Sequence, residues 1–194
     1  MRIGLFGGTF DPLHIGHLII AETVHSDFSL DQIIFIPAAV SPHKVGKNLS
    51  PADIRLEMVR RTIDHCTHFN VSDVEIQNEK ISYTVDTVRW FREAEQWHHD
   101  ELYLLIGSDS FLELNTWKDP ELILEQVHML VVGRPGFEIQ TVEERFRDNV
   151  TIIDGPLIDI SSSEIRQRVQ LGKSIRYWVP DCVEKIISQK GLYR

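Results

Sequence analysis

Cysteine is scarce in this chain. Cys66 and Cys182 are its only two among 194 residues, which excludes a small scaffold stapled by disulfides. Long apolar runs are missing as well. The densest stretch, Ile33 to Val40, already contains Pro37 and falls far short of the ~18–20 residues of a membrane span. The opening Met1-Arg2-Ile3-Gly4-Leu5-Phe6 carries one positive charge and then glycines. A secretory h-region with a small-residue cleavage site reads differently, so a cytoplasmic location is expected. Basic residues are in deficit: 20 stand against 29 acidic ones, a formal charge of −9. That balance argues against a protein whose main task is to hold a nucleic-acid polymer, since phosphate neutralisation dominates such affinity. It leaves room for a small phosphorylated ligand, which needs only a few local donors. What is present is ordinary: 42% apolar and 25% charged residues, the balance of a globular protein. The length suits one domain of roughly 100–200 residues, and residues 1–194 are expected to form it.

Periodicity and punctuation predict alternating strands and helices. Arg2 to Phe6 reads as a buried strand, followed by a Gly-rich turn and a helix from about Gly16 to Asp27. Gln32 to Ile36 is a second strand, stopped by Pro37. A polar loop then runs to Leu49, and Ser50-Pro51 reads as an N-cap with proline at the first helical position of a helix reaching His65. Strands are predicted near Asn70–Val74, Glu101–Ile106, His128–Val132 and Val150–Ile153. Helices are predicted over Thr84–Trp97, after Asp119-Pro120, over Ser162–Leu171 and over Asp181–Lys190. Trp90, Trp97, Trp178 and Tyr177 are read as core before contact residues, and the choice between monomer and homodimer stays open. The alternation is that of an α/β fold, a doubly wound parallel sheet of Rossmann-like type closed by a small C-terminal helical segment. Such sheets place ligands beyond the carboxyl ends of their strands. The chemically interesting residues directly follow the strands.

The first of these segments is Gly7-Gly8-Thr9-Phe10-Asp11-Pro12-Leu13-His14-Ile15-Gly16-His17. Glycines let backbone approach a ligand, and a helix N-terminus offers free N–H groups and positive dipole. His14 and His17 are three apart, close enough on a helical turn to reach one phosphate. The second is Ile160-Ser161-Ser162-Ser163-Glu164-Ile165-Arg166. Ser161 with Glu164 spells a capping box. Three hydroxyls and Arg166 exceed what a cap requires, and the guanidinium fork suits terminal phosphates.

Together the two segments resemble the nucleotidyltransferase superfamily, marked by a T/H-x-G-H element near the N-terminus and an I-S-S-T/S-x-x-R element near the C-terminus. Ser41-Pro42-His43-Lys44, Tyr83-Thr84-Val85-Asp86-Thr87, Gly107-Ser108-Asp109-Ser110-Phe111, Trp117-Lys118-Asp119-Pro120 and Val132-Gly133-Arg134-Pro135-Gly136 narrow the likeness to the bacterial nicotinate-nucleotide adenylyltransferase family. Ser163 stands where threonine is common, and it keeps the hydroxyl. The resemblance implies adenylyl transfer from ATP to nicotinate mononucleotide by in-line attack, a step of NAD biosynthesis, with Mg²⁺ bound mainly through the triphosphate. It implies ATP contacts at Gly8, Thr9, Phe10, His14, His17, Gly107, Asp109, Arg134, Ile160, Ser162 and Arg166. His43, Lys44, Thr84 and Trp117 would hold the pyridine nucleotide, an indole suiting a cationic ring. His17, His14, Arg166 and Lys44 would stabilise the transferring phosphoryl group.

Other readings fall away. Gly172-Lys173-Ser174 lacks the earlier Walker glycine, since position 167 is Gln167. No G-x-G-x-x-G follows the first strand, against a dehydrogenase. His14-Ile15-Gly16-His17 also spells a class I aminoacyl-tRNA synthetase motif, but the short chain and its acidic balance disfavour that reading. Phosphopantetheine adenylyltransferase shares both ATP motifs but lacks the Ser41–Lys44 and Trp117–Pro120 segments. A non-catalytic nucleotide sensor would be expected to lose His17 or Arg166. His65-Cys66-Thr67-His68 has one thiol and no partner at finger-like spacing, so it reads as a structural helix end. His98-His99 reads likewise.

Overall fold

The computed structural model describes residues 1–40, 49–78, 81–133, 142–153, 155–156 and 158–194. Short apolar runs build its sheet: β1 (Ile3–Gly8), β2 (Gln32–Pro37), β3 (Phe69–Val71), β4 (Leu102–Gly107), β5 (His128–Val132) and β6 (Val150–Ile153). They pair in parallel, in the order β3-β2-β1-β4-β5-β6. Nine α-helices are described alongside: α1 (Ile15–Asp27), α2 (Ala52–Ile63), α3 (Val74–Gln77), α4 (Thr84–Glu95), α5 (Ser108–Leu112), α6 (Pro120–Leu124), α7 (Glu144–Arg147), α8 (Ser162–Gln170) and α9 (Asp181–Lys190). Among the described residues no helix is long and apolar enough to cross a membrane.

Successive side chains of a strand point to opposite faces, so a sheet buried on both sides needs apolar residues at every position. The strands obey. Ile3, Leu5, Leu102, Leu104, Ile106, Met129 and Val131 join one buried cluster with Val85, Val88 and Phe91 of α4. Phe6, Ile33, Phe35, Tyr103, Leu105 and Leu130 join another with Ala21 and Val24 of α1 and Val59 and Ile63 of α2. A third cluster lies beyond the sheet, where Met58 of α2 meets Ile165 of α8 and Val183, Ile186 and Ile187 of α9. That cluster seats the C-terminal helices.

Several predicted details shift. The expected Asn70–Val74 strand ends at Val71, and Val74 opens α3 instead. Ser50 does not cap α2; Pro51 holds the cap position with extended backbone, and the helix starts at Ala52. Asp119 precedes α6 in the left-handed region, φ 48°, with no side-chain capping bond. Trp90 and Tyr177 are exposed, 41% and 77%, and so are not core. Trp97 and Trp178 are partly buried against apolar clusters.

Candidate active site

Chain order reverses between β1 and β4, neighbours whose following strands lie on opposite sides, and a crevice opens at the carboxyl ends of such a pair. Gly7 is the penultimate residue of β1 and Gly107 the last of β4. A Cβ built on either meets no atom within 4 Å, so both backbones border open space. Gly8 differs: its added Cβ would lie 2.8 Å from the Phe10 ring. Gly107 also precedes α5, with Asp109 in the first turn.

The loop after β1 is held from several directions. Phe10 adopts φ 48°, an uncommon region for a non-glycine residue, and its ring is buried against Phe6 and Phe35. Arg55 of α2 is 1% exposed. Its guanidinium donates to the carbonyls of Thr9 (2.7 Å), Ala39 (3.0 Å) and Ser50 (3.0 Å). Burial pulls its pKa below the usual arginine value, opposed by the nearby Asp11 carboxylate. Asp11 is equally buried and accepts from the Ser50 amide (3.2 Å) and the Tyr193 hydroxyl (2.5 Å).

The second motif closes on the same loop. Ser161 caps α8, its hydroxyl accepting from the Glu164 amide at 3.2 Å. The next side chains reach across: Ser162 Oγ donates to the Pro12 carbonyl (2.9 Å) and Arg166 Nη1 to the Asp11 carbonyl (2.7 Å). The Ile15 amide, at the first turn of α1, donates to the Trp178 carbonyl (2.9 Å). Ile160 packs on the third apolar cluster.

His14 is the N-cap of α1 and His17 its third residue. The rings stack, with centroids 3.6 Å apart. The His14 amide donates to His17 Nδ1 at 3.2 Å, so the proton of a neutral His17 ring resides on Nε2. Gly16 makes room for this pair, since a Cβ there would approach His14 Nδ1 to 3.1 Å. Phe10 and Phe6 set their ring edges against His17, at 5.1 and 6.0 Å between centroids.

Thr84 begins α4, and Trp117 follows the turn after α5, packed partly buried on the core. Lys118 joins their segments: its Nζ lies 2.9 Å from Asp86 and 4.9 Å from the Tyr83 ring centroid. Glu75 of α3 accepts from Thr87 Oγ1 at 2.6 Å, and burial raises its pKa above the ordinary carboxylate value. His43, Lys44 and Arg134 lie outside the described residues.

Two contributors escaped the sequence reading. Arg55 looks like a solvent-facing cation on an amphipathic helix, and Tyr193 like a tail residue. Neither has a local signal, because their partners lie up to 182 positions away. Among the described residues the groups of three potential metal ligands, Glu22-His25-His68 and His99-Asp100-His128, include no residue of this crevice.

A family model described as cytidylyltransferase-like matches residues 5–168. The protein named "Probable nicotinate-nucleotide adenylyltransferase" in Desulfitobacterium hafniense (strain Y51) is 44% identical over 200 residues, covering 100% of this chain and 96% of its own. One of the same name in Thermus thermophilus is 41% identical, covering 100% of both chains. Among solved structures, Plasmodium falciparum nicotinic acid mononucleotide adenylyltransferase complexed with NaAD superposes with a TM-score of 0.82 at 19% identity, over 99% of this chain and 97% of that one. At that identity the likeness speaks for the fold.

Proposed function

Because this chain belongs to the nicotinate-nucleotide adenylyltransferase family, within the cytidylyltransferase-like group, we propose that its crevice transfers the adenylyl group of ATP to nicotinate mononucleotide. The mononucleotide phosphate attacks the α-phosphorus in line and pyrophosphate leaves, giving nicotinate adenine dinucleotide. No protein nucleophile takes part. Catalysis is positioning and charge stabilisation.

The observation that carries this reading is the docking of α8 on the first loop. Arg166 lies on the Asp11 carbonyl and Ser162 on that of Pro12, three and two residues before His14. A triphosphate in the crevice would thus meet imidazoles from the chain's start and a guanidinium from near its end. Nε2–H of His17 donates to the α-phosphate, with His14 and Arg166 assisting. The open faces of Gly7 and Gly107 support close approach of the nucleotide, with Gly8, Thr9, Phe10, Asp109 and Ile160 around it. Thr84 and Trp117 receive the pyridine ring. Lys44 and His43 supply donors to its carboxylate or phosphate, and Arg134 assists the ATP phosphates.

ATP enters as its Mg²⁺ complex. Both Asp11 oxygens already accept hydrogen bonds, and the assembled donors are nitrogens suited to phosphate. This fits an ion carried by phosphate oxygens and water, whose contribution when bound is to neutralise the leaving pyrophosphate. The cysteine-poor composition supports a cytoplasmic setting.

Pyrophosphate release from ATP, measured with a panel of acceptors, tests the reading. Turnover is expected with nicotinate mononucleotide, and kcat/KM is expected to fall by at least tenfold with the amide analogue, because donors placed for a carboxylate lose their match. Equal kcat/KM for the two defeats the preference. Tight ATP binding with no turnover on any acceptor defeats the enzyme reading for this site.

A further inference from the structure

The end of the sheet opposite the crevice carries a second constellation. Glu22 and His25 stand three apart on the last turns of α1 and so share a face. His68 comes from the turn between α2 and β3. Backbone bonds fix that turn: the Cys66 amide donates to the Ile63 carbonyl (2.8 Å), and the His68 carbonyl accepts from the Ile33 amide at the start of β2 (2.9 Å). His68 Nε2 lies 2.8 Å from Glu22 Oε2, and its ring stacks on His25 with centroids 3.9 Å apart. Ligand atoms of all three residues lie within 4.8 Å of one another. Cys66 Sγ stands 3.3 Å from His68 Nε2. In the sequence Cys66 and His68 have no partners at metal-binding spacing. The fold supplies them from more than forty residues earlier.

We propose that Glu22, His25 and His68 form a binding site for a borderline transition-metal dication of the Zn²⁺ class. The donor set decides the class. Imidazole nitrogens with a single carboxylate suit Zn²⁺ and its neighbours, whereas Mg²⁺ and Ca²⁺ select all-oxygen sets. Bonds of ~2.0–2.2 Å in a tetrahedral arrangement set the ligand atoms roughly 3.3–3.6 Å apart, a spacing these partly exposed side chains reach when the His25 and His68 rings turn out of their stack. Binding at Nε2 replaces the Glu22–His68 hydrogen bond, and the proton of a neutral ring then sits on Nδ1. The nearby Cys66 sulfur adds a soft donor to the same preference. The ion would tie the C-terminal turn of α1 to the strand edge. His25 is eight residues from His17, about 12 Å along the helix, so the site is separate from the reacting phosphates.

A comparable trio, His99, Asp100 and His128, is the internal control. Its Asp100 carboxylate is 93% exposed and stands 3.3 Å from His99 Nδ1 and 3.9 Å from His128 Nε2, against 2.8 Å between Glu22 and His68. The experiment titrates Zn²⁺ into the full-length protein, free of other metals, and follows Tm and competition with a chromophoric chelator. The unaltered chain is expected to gain roughly 5–10 °C at a hundredfold excess of Zn²⁺ over Kd. His68→Ala and His25→Ala, at side chains that fill no core, are expected to abolish that gain and weaken binding at least tenfold. His128→Ala is expected to keep both. Adenylyl transfer with Mg²⁺ present should match the unaltered chain in His25→Ala. No gain in the unaltered protein, or a gain that survives His68→Ala or vanishes in His128→Ala, overturns the assignment.

Discussion

At His17 the backbone decides the chemistry of a side chain. The His14 amide bonds Nδ1 and so leaves Nε2 as the N–H end, the form a phosphate needs. Replacing His17 with Ala is expected to lower kcat by 10²–10³, about 2.7–4 kcal/mol, the usual loss for a transition-state donor. Steady-state kinetics decide the matter: an unchanged kcat with a raised KM marks uniform binding and removes His17 from the chemistry. Glu75 illustrates the opposite relation, a side chain at odds with its surroundings. Burial raises its folded pKa above the unfolded value, the Thr87 hydrogen bond only partly opposing. The folded state therefore holds a proton that the unfolded state has released. Stability from this group is full below the ordinary carboxylate value and is lost as pH rises through the raised one. Glu75→Gln keeps an acceptor for Thr87 and removes that dependence. Urea unfolding of the two proteins from pH 4 to 7 should show the variant gaining on the unaltered chain as pH rises; parallel curves refute the account.

At the scale of elements, α8 links sequence pattern to site geometry. Ser161 starts it, Ile165 buries against the third apolar cluster at 0% exposure, and the next residue is thereby aimed at the Asp11 carbonyl. Ile165→Ala should cost roughly 2–4 kcal/mol through the cavity it leaves and raise KM for ATP by loosening Arg166. Ile165→Val should cost about 0.5–1.5 kcal/mol and spare KM. A raised KM in both, or in neither, separates docking from binding. The sequence made this element legible because its signals are local: a capping serine, a glutamate three residues on, an apolar stripe. For the same reason β5, β6 and α9 fall where periodicity put them. Elements were misplaced where tertiary contacts prevail. Val74 looks like the end of a strand, but β3 stops at Val71 and Val74 is buried from the first turn of α3. Trp90 and Tyr177 misled for another reason: large aromatics favour the core, yet one sits on the outer side of α4 and the other in a left-handed turn, φ 68°. At the candidate site, the glycines, both histidines and Arg166 stand out by their spacing alone. Arg55 could not, because a buried arginine becomes intelligible only once the carbonyls of Thr9, Ala39 and Ser50 are known to converge on it.

At the scale of the whole molecule, the last residues of the chain brace the first loop. Tyr193 adopts φ 61°, and its hydroxyl donates to Asp11 Oδ1 at 2.5 Å. Burial and the neighbouring carboxylate push the phenol's pKa upward, so it stays an O–H donor at every working pH. Asp11 in turn faces Arg55 and, through its carbonyl, Arg166. Cutting this contact leaves a buried carboxylate short of one donor while Arg55 and the Ser50 amide still oppose its charge. Tyr193→Phe should therefore cost about 1–3 kcal/mol, a fall in Tm of roughly 2–12 °C for a chain of this size. Because the loop it steadies carries the imidazoles, KM for ATP should rise in the same variant. If Thr84 and Trp117 hold nicotinate mononucleotide as proposed, its KM should stay unchanged. Melting curves with the two KM values measure all three quantities on one preparation. A variant that loses stability but leaves KM for ATP unchanged shows the C-terminus to be a strut for the fold alone; a matched rise in both KM values shows general loosening. Only the selective rise supports a brace that reaches from residue 193 to the phosphates.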